Sequence, residues 1–379
     1  MRIALGTPFK PLDHPRISGD VTIARDLMDA LSSMGEEVAP APGPATARIW
    51  ERPEAWPALL RARKDLLRRM GSTDAWLTYH SYYKAPDLLG PLAARAGLPY
   101  CVFSAAYAEK RGEQPENRPG FLLNRRALLA ADHLFMNKRD DYETCSRLVP
   151  EERLTYIRPG IPVERFAPAP DARERLRAGW GAAGVGGMVA VCAAMLRAGV
   201  KVQGVEWTIR ALGGLLREGL DVRLVLAGDG PARAELETLA RAELPGRAVF
   251  LGTVPRERLR EVYSAGDVFV FPGINEGLGM VYLEAQCCGL PCVAFDHMGA
   301  PEVVAPGAGC ITPSFEMDPF AAALRELARH PERRRAMGET ARRFVLDNHD
   351  ASRNYVMVRE KLRELVRRKQ LRERRCARQ

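Results

Sequence analysis

Residues 267–295 predict a strand, a loop, a helix and a second strand in direct succession. Asp267–Phe271 is apolar enough for a buried strand, a helix is predicted from about Gly279, and Leu290–Phe295 is a second strand candidate. Strands joined through a helix run parallel in one sheet. Open sheets of this kind bind ligands outside the carboxyl ends of their strands. The segment therefore predicts an α/β fold with a ligand site in the loop before Gly279.

The same loop and helix carry groups that suit a nucleoside diphosphate. The N–H groups of Gly279, Met280 and Val281, at the predicted helix start, have no acceptor within the helix and can bind phosphate oxygens. Glu276, in the loop, would point at the group attached to that phosphate. Glu284, on the second helical turn, could accept hydrogen bonds from a ribose diol. We expect both carboxylates to face the ligand rather than the core.

The run Asn275–Glu284, reading NEGLGMVYLE, with Gly289-Leu-Pro291 behind it, carries a specific resemblance. It resembles the E-x7-E region of retaining glycosyltransferases of family four (glycosyl transferases group one). The resemblance covers nearly the whole chain and is strongest from Asp221 to Val304. It implies the GT-B fold, in which two doubly wound Rossmann-like domains face a cleft and a C-terminal helix crosses back to the first domain. It also implies that a sugar passes from a UDP- or GDP-linked donor to an acceptor hydroxyl with retention at the anomeric carbon.

Strand and helix candidates alternate along both halves of the chain, as a parallel sheet in each half requires. With 379 residues the chain exceeds the size of a single hydrophobic core. A first, acceptor-side domain is expected at residues 1–165, and a linker at 166–187, where prolines and glycines cluster. The nucleotide-sugar-binding domain is expected at 188–350, followed by a C-terminal helix and basic tail at 351–379.

The resemblance also implies roles for residues outside the Glu276 loop. His80, at the end of a strand candidate, is implied near the transferred sugar and forms the expected catalytic pair with Glu276. Arg197 and Lys201 follow the first strand of the second domain and are expected to bind the diphosphate and stabilise the departing nucleotide. The family places a lysine directly before a helix-opening glycine, where this chain has Gln203. Whether Lys201 or Gln203 takes that place is open at this point.

Two further positions complete the expected donor site. Gly19 opens the first long helix, where a glycine lets the backbone approach a ligand; a simple helix cap is the alternative. Gly252-Thr-Val254 follows a strand candidate and resembles the family's base-contacting turn, which places Val254 beside the nucleobase.

The sequence carries no motif for a metal or a dinucleotide cofactor. It has no HExxH, no P-loop and no carboxylates at a metal-like spacing, and its eight cysteines do not form matched C-x-x-C pairs. We therefore expect no metal and no cofactor, with the nucleotide sugar as co-substrate. A GT-B epimerase or a phosphorylase-like enzyme is a second interpretation. A dinucleotide oxidoreductase would need an intact G-x-G-x-x-G followed by an acidic residue, which the chain lacks.

The net charge of +9 belongs mostly to one end of the chain. Arg359–Gln379 carries ten Lys or Arg and three Glu, so ten minus three gives +7 of that total. A basic tail on a nearly neutral body does not indicate a nucleic-acid partner. No apolar run reaches the length of about 20 residues of a membrane span, and we expect a cytoplasmic protein. Beyond Arg367 the tail is either a solvated helix end or a contact with the anionic inner membrane surface, which would suit a saccharide or lipid-linked acceptor.

Overall fold

The computed structural model describes residues 1–14, 18–182, 186–197 and 199–376. These form two compact units, the first from Met1–Gly160 together with the chain from Ala351 onward, and the second from Ile161–Asp350. The chain thus leaves the first unit at Gly160 rather than at residue 165. The described part of the predicted linker belongs to the second unit. Residues 183–185 of that linker and 377–379 of the tail lie outside the described residues.

The first unit is built on one parallel sheet. Its strands in the described chain are β1 (Arg2–Gly6), β2 (Glu37–Pro40), β3 (Ala75–Tyr79), β4 (Tyr100–Phe103), β5 (His133–Met136) and β6 (Leu154–Tyr156). Their order in the sheet is β2-β1-β3-β4-β5-β6, and every neighbouring pair is parallel. Every residue of β3, β4 and β5 is buried, as a sheet covered by helices on both faces requires. The direction of winding reverses between β1 and β3.

The helices of the N-terminal segment connect these strands. They are α1 (Gly19–Ser33), α2 (Trp56–Arg69), α3 (Gly90–Arg95), α4 (Glu109–Gly112), α5 (Arg118–Ala130) and α6 (Arg139–Ser146), with short 3-10 turns at Ile49–Glu51, Pro53–Ala55, Met70–Ser72 and Glu151–Arg153. Ala62 of α2, Ala93 of α3 and Leu128 of α5 share one hydrophobic cluster with Trp76 and Tyr100 of the sheet. Helices α2, α3 and α5 therefore cover the same sheet face.

A turn fixed by Asp87 precedes helix α3. The buried Asp87 carboxylate accepts hydrogen bonds from the N–H groups of Leu89 and Gly90, both at 2.9 Å. Its other oxygen accepts the hydroxyl of Tyr100 at 2.9 Å. Aspartate that binds backbone two or three residues ahead favours a turn over helix. The helix accordingly begins at Gly90.

The second unit also holds one parallel sheet. Its strands in the described chain are β7 (Met188–Ala193), β8 (Val222–Ala227), β9 (Ala248–Gly252), β10 (Val268–Val270), β11 (Cys292–Phe295) and β12 (Gly309–Thr312). Their order is β12-β11-β10-β7-β8-β9. The chain runs outward from β7 to β9 and then returns to place β10 on the other side of β7. The winding reverses between β7 and β10, which is where doubly wound sheets bind their ligands.

The helices of this unit lie between and after these strands. They are α7 (Pro170–Gly179), α8 (Val200–Arg217), α9 (Arg233–Glu243), α10 (Arg256–Ala265), α11 (Met280–Cys287), α12 (Ala300–Val303), α13 (Met317–Arg329) and α14 (Pro331–Asn348), with a 3-10 turn at Val163–Phe166. Helix α7 falls within the predicted linker, and packing against α10 explains why it is folded.

A carboxylate whose side chain is only 10% exposed fixes α7 to the rest of the second unit. Asp267 forms ion pairs with Arg173, at 2.6 Å, and with Arg177, both on α7. It also accepts the N–H of Val189 at 2.8 Å. Burial acts to raise the pKa of Asp267, but the Val189 hydrogen bond and the two arginine charges outweigh it and leave this pKa below its usual value. The proline and glycine content around α7 is typical of a linker. The ion pairs of Arg173 and Arg177 nevertheless attach α7 to the second unit.

The C-terminal helices α15 (Ala351–Asn354) and α16 (Val356–Cys376) belong to the first unit, which confirms the predicted return of the chain. Between them, the ring of Tyr355 lies edge-on to Phe103 with centroids 5.3 Å apart. Arg363 of α16 forms an ion pair with the buried Glu36 at 2.6 Å. Among the described residues, no helix combines the length and the apolar character needed to cross a bilayer.

Replacing Asp267 by alanine is expected to lower the free energy of unfolding by about 3 kcal/mol, because it leaves Arg173 and Arg177 without their shared carboxylate. Urea denaturation measures this change. Asp347→Ala, at an exposed aspartate of α14, is the matched control and should change stability by less than about 0.5 kcal/mol.

The pH dependence gives this prediction a second test. Since the folded-state pKa of Asp267 is lowered, its stabilisation is present at neutral pH and is lost as the pH falls through the folded-state pKa. The stability difference between wild type and Asp267→Ala should therefore shrink in acid. A difference that grows as the pH falls would contradict this role.

Candidate functional site

The reversal of winding in the second unit brings two loops to one sheet edge. Strand β7 leads through the loop with Arg197 into α8, and β10 leads through the loop with Glu276 into α11. Because β7 and β10 are adjacent and parallel, both loops emerge beside each other. Lys201, on the first turn of α8, confirms this directly: its Nζ lies 3.2 Å from Oε2 of Glu276.

The loop after β10 is held in one shape by close contacts. Gly273 and Gly279 both have positive φ, of 75° and 66°. A Cβ at Gly273 would lie 2.1 Å from the Tyr282 hydroxyl, and one at Gly279 would lie 2.8 Å from both the Tyr282 ring and Val303. The Tyr282 hydroxyl donates to the carbonyl of Phe271 at 2.8 Å. Only glycine fits these two positions, so the loop presents Glu276 from a fixed backbone.

The backbone N–H and the backbone carbonyl of Glu276 both form hydrogen bonds. Its N–H donates to the carbonyl of Gly273 at 2.9 Å, and its carbonyl accepts the N–H of Gly299 at 3.1 Å. Its side chain is partly exposed, as is that of Lys201. The carboxylate and the ammonium are therefore both accessible to a ligand at this edge.

The structure decides which side chain of α8 points into the site. Lys201 reaches Glu276, whereas Gln203 is exposed and lies about 200° further around the helix. Of these two side chains, Lys201 is therefore the one that lies beside Glu276. Arg197 is exposed, and in the described part of the chain its guanidinium forms no ion pair.

The start of α11 has the donor groups predicted for it. The first N–H groups to find helical acceptors are those of Tyr282 and Leu283, which donate to the carbonyl of Gly279 at 2.9 and 3.4 Å. Within the described chain the N–H groups of Gly279, Met280 and Val281 have no backbone acceptor. They lie in the same loop as Glu276 and carry the positive end of the helix dipole. This arrangement can bind phosphate oxygens.

Glu284 is more buried than expected for a residue that faces the ligand. It is 5% exposed, and its Oε1 accepts a hydrogen bond from Nε of Arg256 at 3.1 Å. The guanidinium of Arg256 lies over the Phe166 ring, 5.3 Å from its centroid. Glu284 is therefore a buried, paired carboxylate whose orientation is set by a cation.

Arg256 was missed from the sequence. It follows the turn Gly252–Val254 and begins α10, so a cation placed just after the expected base-contacting turn was the available signal. Its pairing with Glu284 depends on how α10 packs against α11, which no local pattern encodes. The pair joins the partly exposed Val254 turn to α11, so two predicted parts of a nucleoside site are neighbours.

The first unit has a smaller cluster at its own reversal of winding. His80 directly follows β3 with a φ of 60°, and its Nδ1 lies 3.0 Å from Oδ1 of Asp20, the second residue of α1. The His80 ring stacks on Tyr82 at 4.6 Å and meets the edge of Phe9 at 5.9 Å. Burial acts to raise the pKa of Asp20, but the hydrogen bond and charge of His80 outweigh it and lower this pKa.

Gly19 lies next to this cluster at the exposed start of α1. No atom lies within 4 Å of the position that a Cβ would take at Gly19. Packing therefore does not require a glycine there, and the backbone is open to a ligand. The sequence predicted His80 and Gly19 separately, whereas Asp20 connects them in the structure.

In the described ranges, no group of three or more His, Cys, Asp or Glu side chains is arranged to hold a metal ion.

Comparison with known proteins gives the family. Residues 192–344 match the family model described as Glycosyl transferases group 1. The GDP-mannose-dependent alpha-(1-6)-phosphatidylinositol monomannoside mannosyltransferase of Mycolicibacterium smegmatis is 37% identical over 276 residues, which is 69% of this chain and 69% of that protein. The D-inositol 3-phosphate glycosyltransferase of Streptomyces avermitilis is 30% identical over 288 residues, covering 70% of this chain and 61% of that protein.

Solved structures share the fold at low sequence identity. Sucrose-phosphate synthase from Thermosynechococcus elongatus has a TM-score of 0.75 at 20% identity, over 96% of this chain and 98% of that chain. Anabaena HepE in complex with UDP and glucose has a TM-score of 0.70 at 19% identity, over 96% of this chain and 100% of that chain. The two doubly wound units are those of a GT-B glycosyltransferase. The chain belongs to the family of glycosyl transferases group 1, which removes the dinucleotide oxidoreductase from consideration.

Glu276→Ala and Glu284→Ala are both expected to lower nucleotide release from the donor by about 100-fold or more, because these carboxylates are the groups predicted for the sugar and for the ribose. Their stabilities should differ. Glu276→Ala should melt as the wild type does, whereas Glu284→Ala should melt at a lower temperature because it leaves Arg256 without its buried partner.

Turnover assays and thermal melts test the two parts separately. Two carboxylates that both face the ligand, as the sequence led us to expect, would leave melting normal in both variants, and the burial of Glu284 changes that expectation. Full activity in both variants would refute the site assignment, and an unchanged melt for Glu284→Ala would refute the buried pair.

Proposed function

We propose that this glycosyltransferase transfers a sugar from a nucleoside-diphosphate sugar to an acceptor hydroxyl, with retention at the anomeric carbon. One observation carries the proposal: the Lys201–Glu276 pair and the N–H groups at the start of α11 lie at one edge, where the winding of the second sheet reverses. A diphosphate there would meet a cation from α8 and the positive end of α11. Glu276 would then face the attached sugar.

The donor is proposed to be a GDP- or UDP-linked hexose. The Mycolicibacterium smegmatis relative is GDP-mannose-dependent, and the HepE structure contains UDP and glucose. GDP-mannose is therefore the first donor to test. Glu284, oriented by Arg256, is proposed to accept hydrogen bonds from the ribose hydroxyls. Val254 is proposed to contact the nucleobase, and Gly19 to let the first unit's backbone approach the donor.

The proposed chemistry needs no protein nucleophile. The bond between the anomeric carbon and the phosphate oxygen breaks, and a bond to the acceptor oxygen forms on the same face. The leaving phosphate takes the acceptor's hydroxyl proton. Arg197, Lys201 and the α11 N–H groups stabilise the negative charge that grows on that phosphate. Glu276 and, on the first unit, His80 are proposed to orient the sugar.

The acceptor is proposed to be a saccharide or a lipid-linked molecule used in cell-surface glycan or glycolipid synthesis. The names of the two curated relatives, which act on a phosphatidylinositol mannoside and on an inositol phosphate, support this class. We also propose that the basic end of α16 is attracted to the anionic inner face of the cell membrane.

A thermal-shift experiment tests the donor site. A bound donor at about 100 times its Kd should stabilise the protein by about 2.7 kcal/mol and raise its melting temperature. GDP-mannose and UDP-glucose are the first probes. Lys201→Met should lose most of the shift because the diphosphate loses its cation, and Gln203→Met, two residues away and exposed, should keep it.

Two outcomes would contradict the proposal. One is that no UDP- or GDP-linked sugar changes the melting temperature of the wild type. The other is that Gln203→Met loses the shift as fully as Lys201→Met. Nucleotide release that depends on an acceptor separates a transferase from an epimerase, which needs none.

We further propose that turnover is independent of a divalent metal, because Arg197, Lys201 and the α11 N–H groups would neutralise the diphosphate. Activity should persist in EDTA at the level measured without it. A loss of activity in EDTA that magnesium or manganese restores would show that a metal completes the site.

A further inference from the structure

Helices α2 and α5 carry the same arrangement of exposed leucines and cations. Residues 60–67 read LRARKDLL and residues 122–129 read LLNRRALL, so each has a leucine, two cations three and four residues later, and a leucine seven residues later. These spacings place the four side chains on one side of a helix. The leucines are well exposed: Leu60 54%, Leu67 52%, Leu122 53% and Leu129 39%.

The opposite side of each helix packs against the same face of the first unit's sheet. Ala62 and Leu66 of α2 and Leu128 of α5 belong to one hydrophobic cluster on one sheet face, and α3 contacts both helices. Their exposed sides therefore point away from the same sheet face. We name this surface the basic leucine face, which consists of Trp56, Leu60, Arg63, Lys64, Leu67, Leu122, Arg125, Arg126 and Leu129.

The cations of the basic leucine face have few carboxylates on their own helices. Helix α5 contains no acidic residue, and the single acid of α2, Asp65, pairs with Arg68 at 3.4 Å. Among the described residues, none of the four cations of the face forms an ion pair. In α16, by contrast, Glu364 pairs with Lys361 at 2.8 Å and also with Arg368.

The exposed leucines of α2 and α5 indicate that this surface has a binding partner. Scattered exposed apolar residues are ordinary on a protein surface, but clustered ones with a polar rim mark an interaction site. Trp56, at the first position of α2, is 45% exposed and lies on the same side of the helix as Leu60 and Leu67. The face thus combines apolar side chains with cations within single helical turns.

We propose that the basic leucine face binds an anionic lipid surface. Leucine and tryptophan side chains can insert at the boundary between head groups and acyl chains, while arginine and lysine bind the phosphates. A second copy of the chain would place cations against cations. A nucleic acid would bind the cations and leave the leucines in water. The proposal deepens the membrane contact proposed for α16 by assigning the apolar anchor to another surface.

Co-flotation with vesicles tests this assignment without any sugar nucleotide, so its outcome does not depend on the donor proposal. The wild type should float with vesicles of phosphatidylglycerol and phosphatidylcholine and not with phosphatidylcholine alone. Leu60→Ser, Leu67→Ser, Leu122→Ser and Leu129→Ser combined should weaken binding at least about tenfold. Charge reversal to Glu at the four cations of the face should do the same.

Matched controls separate this face from the tail. Leu371→Ser changes an exposed leucine of α16 and should bind as the wild type does. Deletion of residues 368–379 removes a purely electrostatic attraction, which salt screens beyond about 8 Å at physiological ionic strength. The truncated protein should therefore bind less at low salt and as well as the full chain at physiological salt.

Three results would overturn the proposal. They are a wild type that does not bind the anionic vesicles, a face variant that binds normally, and a truncation that abolishes binding at physiological salt. Thermal melts establish that each variant is folded. If a fourfold variant unfolds, the double variant Leu60→Ser/Leu122→Ser provides the same comparison at smaller amplitude.

Discussion

The pairing of β10 with β7 is the constraint on which the candidate site depends. Both strands are parallel and adjacent, yet they belong to the two halves of the second unit, which wind in opposite directions. Their loops diverge at this point, so the start of α8 and the start of α11 lie at the same edge of the sheet. Lys201 and Glu276 meet there at 3.2 Å. A site for an anionic ligand follows from the topology and from only a few side chains.

Two ion pairs in this unit have different physical roles. Lys201 and Glu276 are both partly exposed, so a ligand phosphate can replace or share the carboxylate as the partner of Lys201. Glu284 and Arg256 are more buried, and Arg256 is also held against Phe166. Removing Arg256 would take the ion-pair partner from a buried carboxylate. The first pair is suited to exchange during binding, and the second to holding one carboxylate in a constant orientation.

The sequence predicted the parts of the fold that depend on local pattern. Strands β10 and β11 and the start of α11 were predicted to within two residues, because an apolar run and a glycine before a helix are local signals. The linker was different. Its prolines and glycines indicated a loop, but Arg173 and Arg177 pair with Asp267, which lies 94 and 90 residues later in the chain. The partner of Glu284 was missed for the same reason, since Arg256 and Glu284 become neighbours only when α10 packs on α11.

The most direct test of the central claim is a crystal structure of the protein with GDP or UDP bound. Diphosphate oxygens are predicted within about 3 Å of the N–H groups of Met280 or Val281 and of Nζ of Lys201. The ribose is predicted beside Glu284. A nucleotide bound away from the edge between β7 and β10, or a diphosphate that contacts neither Lys201 nor the start of α11, would contradict the account.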